Sequence, residues 1–378
     1  MLLMIFVNDL WSLKNIPGWL GHTTAQEDGM GLADTIFPAF LFIVGMSVPL
    51  SVQHRRQKGD SNNKILLHIT ERSFALLVMG VFLVNGEEIN GAASGIQRFP
   101  WNLICVTAFI ILWNSWPKSI NKLLLRSLKF LAILSLLILA FVYRSGKGEN
   151  IHYFGTHWWG ILGLIGWAYF ISAVIYVLSG NKFYILFIAW LLFIFLCIAT
   201  HAGWIVHQSV FAKIISPFGG GSMPAFTMGG VLITLILLHF RQRNEEGKMM
   251  IIFFGIAVIL FLGGIYLRTF WGISKIRATP AWVLICSAIT IVAFIIIYWL
   301  TDRKGKANWF NLILPAGTNT LLCYLLPYYA YDVPMMFHLY LPAFILTGII
   351  GLLKSFLFAL LIVAITGLLG KSGIRLKL

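Results

Sequence analysis

The first 34 residues carry the side chains best suited to chemistry. Asn8 and Asp9 occur in Ile-Phe-Val-Asn8-Asp9-Leu, His22 in Trp19-Leu-Gly-His22-Thr-Thr, and Asp34 in Gly31-Leu-Ala-Asp34-Thr-Ile-Phe-Pro38. A neutral imidazole can take a proton from an attacking amine or hydroxyl, or can itself accept an acyl group. A carboxylate such as Asp34 could fix the tautomer of that ring, and an amide such as Asn8 could donate to a developing oxyanion. Asn8 and Asp9 close the first apolar run, Asp34 opens the second, and His22 lies in the connection. One compact region could therefore present all of them, and the combination suits acyl transfer. The ordinary alternative is a solvated loop histidine with Asn and Asp acting as helix caps. A charged residue at membrane depth costs about 2.5–3.5 kcal/mol even on insertion scales, so such carboxylates usually face a cavity or a partner.

The elements that position these residues must be membrane helices. The chain has 378 residues, of which 59% are hydrophobic and 11% charged, and its mean hydropathy is +0.86. Soluble domains carry about 25% charged residues, so lipid must be the solvent for much of this chain. The expectation is an all-α polytopic membrane protein with about twelve spanning helices, each of roughly 20 mostly apolar residues. They fall near 1–13, 34–52, 67–84, 99–116, 127–143, 158–179, 184–204, 225–240, 249–267, 281–300, 312–331 and 341–369. No soluble module fits between them, so residues 1–378 are expected to form a single integral-membrane domain.

The net charge of +15 comes from short basic clusters between apolar runs, without a continuous basic face or a nucleic-acid motif. Orientation explains it better than nucleic acid. Alternate loops hold Arg55, Arg56, Lys58 and Lys64, then Lys118, Lys122, Arg126 and Lys129, and later Arg303, Lys304, Lys306, Lys371, Arg375 and Lys377. The opposite loops are poorer in Lys and Arg, with Lys14, Arg98, Lys275 and Arg277 among them. The richer set, and with it both termini, is expected to be cytoplasmic. The opposite loops hold His22, His152, His157, His207 and His338, together with Glu27, Asp28, Glu149 and Asp332. Ionisable chemistry thus gathers on the outer side.

Other features are less specific. Trp158 and Trp159 beside His157 could stack on a sugar ring, although an interfacial aromatic belt accounts for them as well. Basic clusters such as His54-Arg55-Arg56 could hold the phosphates of a bound donor. Arg72 is one of the few cations inside an expected span. Asn319, a buried amide in the eleventh span, is expected to bond across helices and could line a donor passage. Cys105, Cys197, Cys286 and Cys323 sit in apolar runs without ligand spacing, and no metal is expected.

The stretch from Met4 to Ser51 resembles the start of the heparan-α-glucosaminide N-acetyltransferase family of transmembrane acyltransferases. The likeness rests on MIFVND at 4–9, GH at 21–22 and LADTIFPAFLFIVGMSVPLS at 32–51. It continues with ERSF at 71–74, ILGLIGWAYF at 161–170, TPAW at 279–282 and AGTNTLLCYLL at 316–326. The resemblance implies transfer of acetyl from cytosolic acetyl-CoA to the amine of a glucosamine-type sugar across the membrane. It places the family's catalytic histidine on His22, its active-site asparagine on Asn8 and its motif aspartate on Asp34. Asp9, His157, Trp158 and Trp159 then become candidates for the acceptor, and Asn319, Arg72 and Arg55 for the donor. Eukaryotic members have ten spans in the shared region, so the helical pair near 99–143 is expected as an insertion. As a bacterial homologue, the chain is expected in the inner membrane, in contact with lipid, with a homodimer as one option for its assembly. The alternative is a secondary transporter of a small solute or glycan precursor, which calls for matching repeats in the two halves.

Overall fold

Long apolar runs satisfy their own backbone by coiling, and nearly every run in this chain is a helix. The computed structural model describes residues 1–117, 119–146, 150–205, 216 and 218–377; Lys118, Glu149 and His207 lie outside them. The helices are α1 (Leu2–Asp9), α2 (Leu32–Gln57), α3 (Asn62–Glu88), the single turn α4 (Gly91–Ser94), α5 (Arg98–Trp113), α6 (Lys122–Val142) and α7 (Gly160–Leu178). They continue with α8 (Phe183–His201), α9 (Ser222–Gln242), α10 (Glu246–Trp271), α11 (Pro280–Tyr298), α12 (Leu314–Thr318), α13 (Thr320–Met336) and α14 (Gly348–Lys371). Two-residue strands at Arg144–Ser145 and His152–Tyr153 pair antiparallel.

Among the described residues, nine helices are long and apolar enough to cross a membrane, and the chain is a multi-pass α-helical membrane protein. The segments expected as the first and fourth spans are shorter helices, Leu2–Ser12 and Arg98–Trp113. The latter stops because Asn114 turns extended and its side chain accepts from Arg375 N at 2.7 Å. The expected eleventh span is a broken pair, bent by 77°. The break lies at Asn319, in a Gly-Thr-Asn run of poor helix formers. Its amide replaces the lost backbone bonds, donating to Ile374 O at 2.9 Å and accepting from Leu376 N at 3.3 Å.

The chain divides into two compact units, each discontinuous in sequence. The first comprises Met1–Ile16, Ala75–Gly163 and Asn308–Leu378. Here α1 packs on α14, and α5 packs on α6 and α13. Asp9, 1% exposed, accepts from Lys354 Nζ of α14 at 2.7 Å and from Tyr331 of α13 at 2.8 Å. Each of these charges would be costly at membrane depth alone, and they neutralise each other. Lys354→Met strands the carboxylate and is expected to cost about 3 kcal/mol, because a buried charge loses its partner. Thermal unfolding in detergent measures this; an unchanged midpoint would contradict the assignment, and Asp9→Leu in the Lys354→Met background should restore most of the loss.

The second unit comprises Pro17–Phe74 and Leu164–Ala307. Its helices α2 and α9 touch backbone to backbone. A Cβ at Gly45 would lie 1.8 Å from Thr227 O, and one at Gly230 would lie 2.0 Å from Phe42 O, so neither position admits a side chain. Small residues at such crossings let backbone atoms pack where lipid gives no hydrophobic drive to association. A polar bond reinforces the contact, as Thr234 donates to Met46 O at 2.9 Å, and Thr227 is also tied to α7, its Oγ1 lying 2.7 Å from Ser172 Oγ. Phe42, Ile233, Met249, Phe253, Ala288 and Ile291 fill the core where α2, α9, α10 and α11 meet.

Candidate active site

Gly31 precedes the first turn of α2, and Asp34, at the third helical position, folds back so that Oδ2 accepts Gly31 N at 3.0 Å. This is a cap, as an aspartate at a helix start ordinarily makes. The same Oδ2 also accepts Thr23 N at 3.1 Å and Thr23 Oγ1 at 3.2 Å. Oδ1 is left for His22, whose Nδ1 lies 2.6 Å away. A carboxylate only accepts, so Nδ1 carries the proton and Nε2 presents its lone pair. The carboxylate is wholly buried, whereas the imidazole side chain is 46% exposed. A fixed, desolvated anion thus orients an accessible ring. The loop 17–31 must lie flat on the helix start for this: a Cβ at Gly31 would meet Gly21 O at 2.0 Å and Trp19 O at 3.0 Å.

Pro38 acts on the same turn. A helix would ordinarily bond the carbonyl of Asp34 to the N–H four residues on, but proline has none. The carbonyl instead accepts Trp282 Nε1 of α11 at 3.0 Å. Trp282 is fully buried and stands edge-on to Phe226. This gives the TPAW motif a physical role: it fixes the backbone at the carboxylate from behind.

The loop before α11 adds a residue that the sequence reading left out. Lys275 Nζ lies 3.2 Å from His22 Nδ1, 3.4 Å from His22 Nε2 and 3.9 Å from Asp34 Oδ1. Since the Nδ1 proton faces Asp34, Lys275 can donate only to Nε2. Burial holds the Lys275 ammonium below the usual lysine range, while Asp34 pulls in the opposite direction. Asp28 ties this loop down by accepting Ile273 N at 2.7 Å and Arg268 Nε at 2.9 Å. The backbone bond from Ile273, more than the guanidinium, keeps the Asp28 carboxyl below its ordinary range. The available signal was a lysine in a loop of the set poorer in Lys and Arg, which topology does not explain.

Asn8 and Asp9 belong to the first unit, His22 and Asp34 to the second. Asn8 opens on a cavity of about 360 Å³ that Arg98, Asn102, Tyr328 and Asp332 also line. Asp9 is taken up by Lys354 and Tyr331. His157 and Trp158 are exposed, and Trp159 half-buried. His157 stands edge-on to His152 with ring centroids 6.2 Å apart. Arg55 is paired with Asp60 at 2.7 Å. Arg72 stacks over Tyr169 at 4.7 Å, and its Nε has no hydrogen-bond partner among the described residues. Asn319 is engaged by the C-terminal segment, as described above.

Residues 1–215 match a family described as "Domain of unknown function (DUF5009)". The chain belongs to this family. The family's region includes Asn8, His22 and Asp34 but neither Lys275 nor Asn319. The chain is also similar to two curated proteins, each named "Heparan-alpha-glucosaminide N-acetyltransferase". The mouse protein is 38% identical over 132 residues, 32% of this chain and 19% of the relative. The human protein is 36% identical over 118 residues, 29% of this chain and 16% of the relative. The chain thus matches under a fifth of the length of these relatives, and the likeness supports a transmembrane acetyltransferase as the broad class.

Proposed function

We propose that this protein is a transmembrane N-acetyltransferase that moves acetyl from cytosolic acetyl-CoA to the amine of a glucosamine-type sugar on the outer side of the inner membrane. Both termini are then cytoplasmic, the side that the distribution of Lys and Arg among the loops favours. The observation that carries the reading is the 2.6 Å contact between His22 Nδ1 and the buried Asp34 carboxylate. A half-exposed histidine with one nitrogen tied to a buried anion and the other met only by a displaceable lysine is an arrangement suited to acyl transfer.

In this reading the acceptor amine displaces Lys275 from the Nε2 lone pair and attacks the thioester carbonyl. In direct transfer Nε2 takes the amine's proton as the C–N bond forms, the C–S bond breaks, and that proton passes to the departing CoA thiolate. In the two-step route the C–S bond breaks as Nε2 takes the acetyl group; the amine then attacks the acetyl-imidazole, the bond to Nε2 breaks, and Nε2 receives the amine's proton. The resemblance makes Asn8 the candidate oxyanion donor, an interaction worth roughly 10²–10³-fold in rate. Arg72 suits a donor phosphate better than Arg55, because Asp60 already neutralises the latter. His157 and Trp158 are the exposed imidazole and ring available to a sugar. A transporter would call for broken helices in corresponding positions of the two halves; among the described residues there is one bent pair.

Purified full-length protein given labelled acetyl-CoA and glucosamine should form N-acetylglucosamine and free CoA. Absence of both transfer to any amino sugar and binding of acetyl-CoA would refute the reading. Labelled protein trapped without acceptor would identify the acetyl-histidine route; a strict requirement for both substrates would identify direct transfer.

A further inference from the structure

The Asn8 cavity in the first unit holds polar groups that the acyl-transfer chemistry does not use. Asp332 of α13 is 6% exposed and Asn102 of α5 is 2% exposed. Asp332 Oδ2 and Asn102 Oδ1 are buried without a hydrogen-bond partner among the described residues. Both residues line the cavity, with Trp11, Phe99, Tyr324 and Tyr328 among its walls. Asn102 bonds the Asp332 carboxyl, and the one carboxylate oxygen and one amide oxygen still unpaired are costly to fold around unless a ligand repays them. Two acceptors facing aromatic walls match the chemistry of an amino sugar, whose ammonium and hydroxyls donate and whose C–H faces stack on rings.

We infer that this cavity is the amino-sugar subsite, with Asp332 reading the ammonium and Asn102 a neighbouring hydroxyl. The inference rests on the acetyltransferase reading for the identity of the sugar. The charge balance disfavours the donor here: the lining has one cation, Arg98, and one anion, Asp332, and no lysine. A CoA diphosphate would meet the carboxylate unfavourably. A volume of about 360 Å³ lies at the lower end of the usual range for small-molecule sites, roughly 300–1,000 Å³, as a single sugar ring calls for.

The test is a binding titration of the full-length protein in detergent with glucosamine, its methyl glycoside and glucose, without acetyl-CoA. Wild type should bind glucosamine at least tenfold more tightly than glucose. Asp332→Asn, which is isosteric, should erase that preference, and Asn102→Ser should weaken both sugars. Binding of the methyl glycoside would point to a glycan end as the natural ligand, and its exclusion to a free sugar. Wild type that does not bind glucosamine, or an Asp332→Asn variant that keeps the preference, would overturn the inference. Should Asp332→Asn fail to fold, Asn102→Ser in the same titration decides: undiminished glucosamine binding overturns the inference. Transfer assayed separately keeps the two readings apart. Asp332-dependent binding without transfer removes the enzyme and retains the subsite; transfer indifferent to Asp332 does the reverse.

Discussion

Asp34→Asn lowers the rate of acetyl transfer by about 10²–10⁴-fold while leaving the fold intact. The asparagine oxygen can still accept from Gly31 N and from Thr23, so the cap of α2 survives. Its amide NH₂ then faces His22 Nδ1, which must turn acceptor. The ring proton moves to Nε2, and the lone pair that should take the proton of the amine is gone. Asp34→Ala would lose the cap as well, a further loss of about 1 kcal/mol in stability. Steady-state rates with acetyl-CoA and glucosamine, beside thermal midpoints, separate the two effects. An Asp34→Asn enzyme within threefold of wild type would show that the tautomer is immaterial.

Most of this pair was legible in the sequence, because it is local. Gly31 and Asp34 spell a helix start, and His22 lies only twelve residues before the carboxylate it meets. The cap and the contact with the imidazole are made by one carboxylate, its two oxygens in different employment. Lys275 was not legible as a partner, since nothing in residues 268–280 states where that loop folds. Its approach depends on Asp28, 245 positions from Ile273, and on Trp282 reaching the carbonyl that Pro38 releases. Asp9 shows the opposite limit. The cost of a carboxylate in a membrane signalled that it needed a partner, yet Lys354, 345 positions away, could not be chosen from the sequence.

The helix count separated for physical reasons too. Hydropathy reports how apolar a segment is, not whether its backbone stays straight. The run around Asn319 is apolar enough, but the asparagine amide replaces the backbone bonds that a continuous helix would make. Arg98–Trp113 reads as a span until Asn114 diverts the chain. Where lipid-facing helices lack such polar breaks, as in Lys122–Val142 and Glu246–Trp271, sequence and structure agree.

The second large effect is that of His22 itself. Removal of a general base costs about 10²–10⁴-fold, and a side chain 46% exposed can be deleted with little loss of packing. Residues that act as a unit are not additive. His22→Ala combined with Asp34→Asn is therefore expected to be no slower than His22→Ala alone, whereas independent roles would multiply.

The imidazole of His22 is the group proposed to handle the proton or the acetyl. Transfer of label from acetyl-CoA to glucosamine by wild type and His22→Ala, at matched thermal midpoints, tests this most directly. A rate at least about 100-fold lower in the alanine variant is the expected result; equal rates would contradict the account.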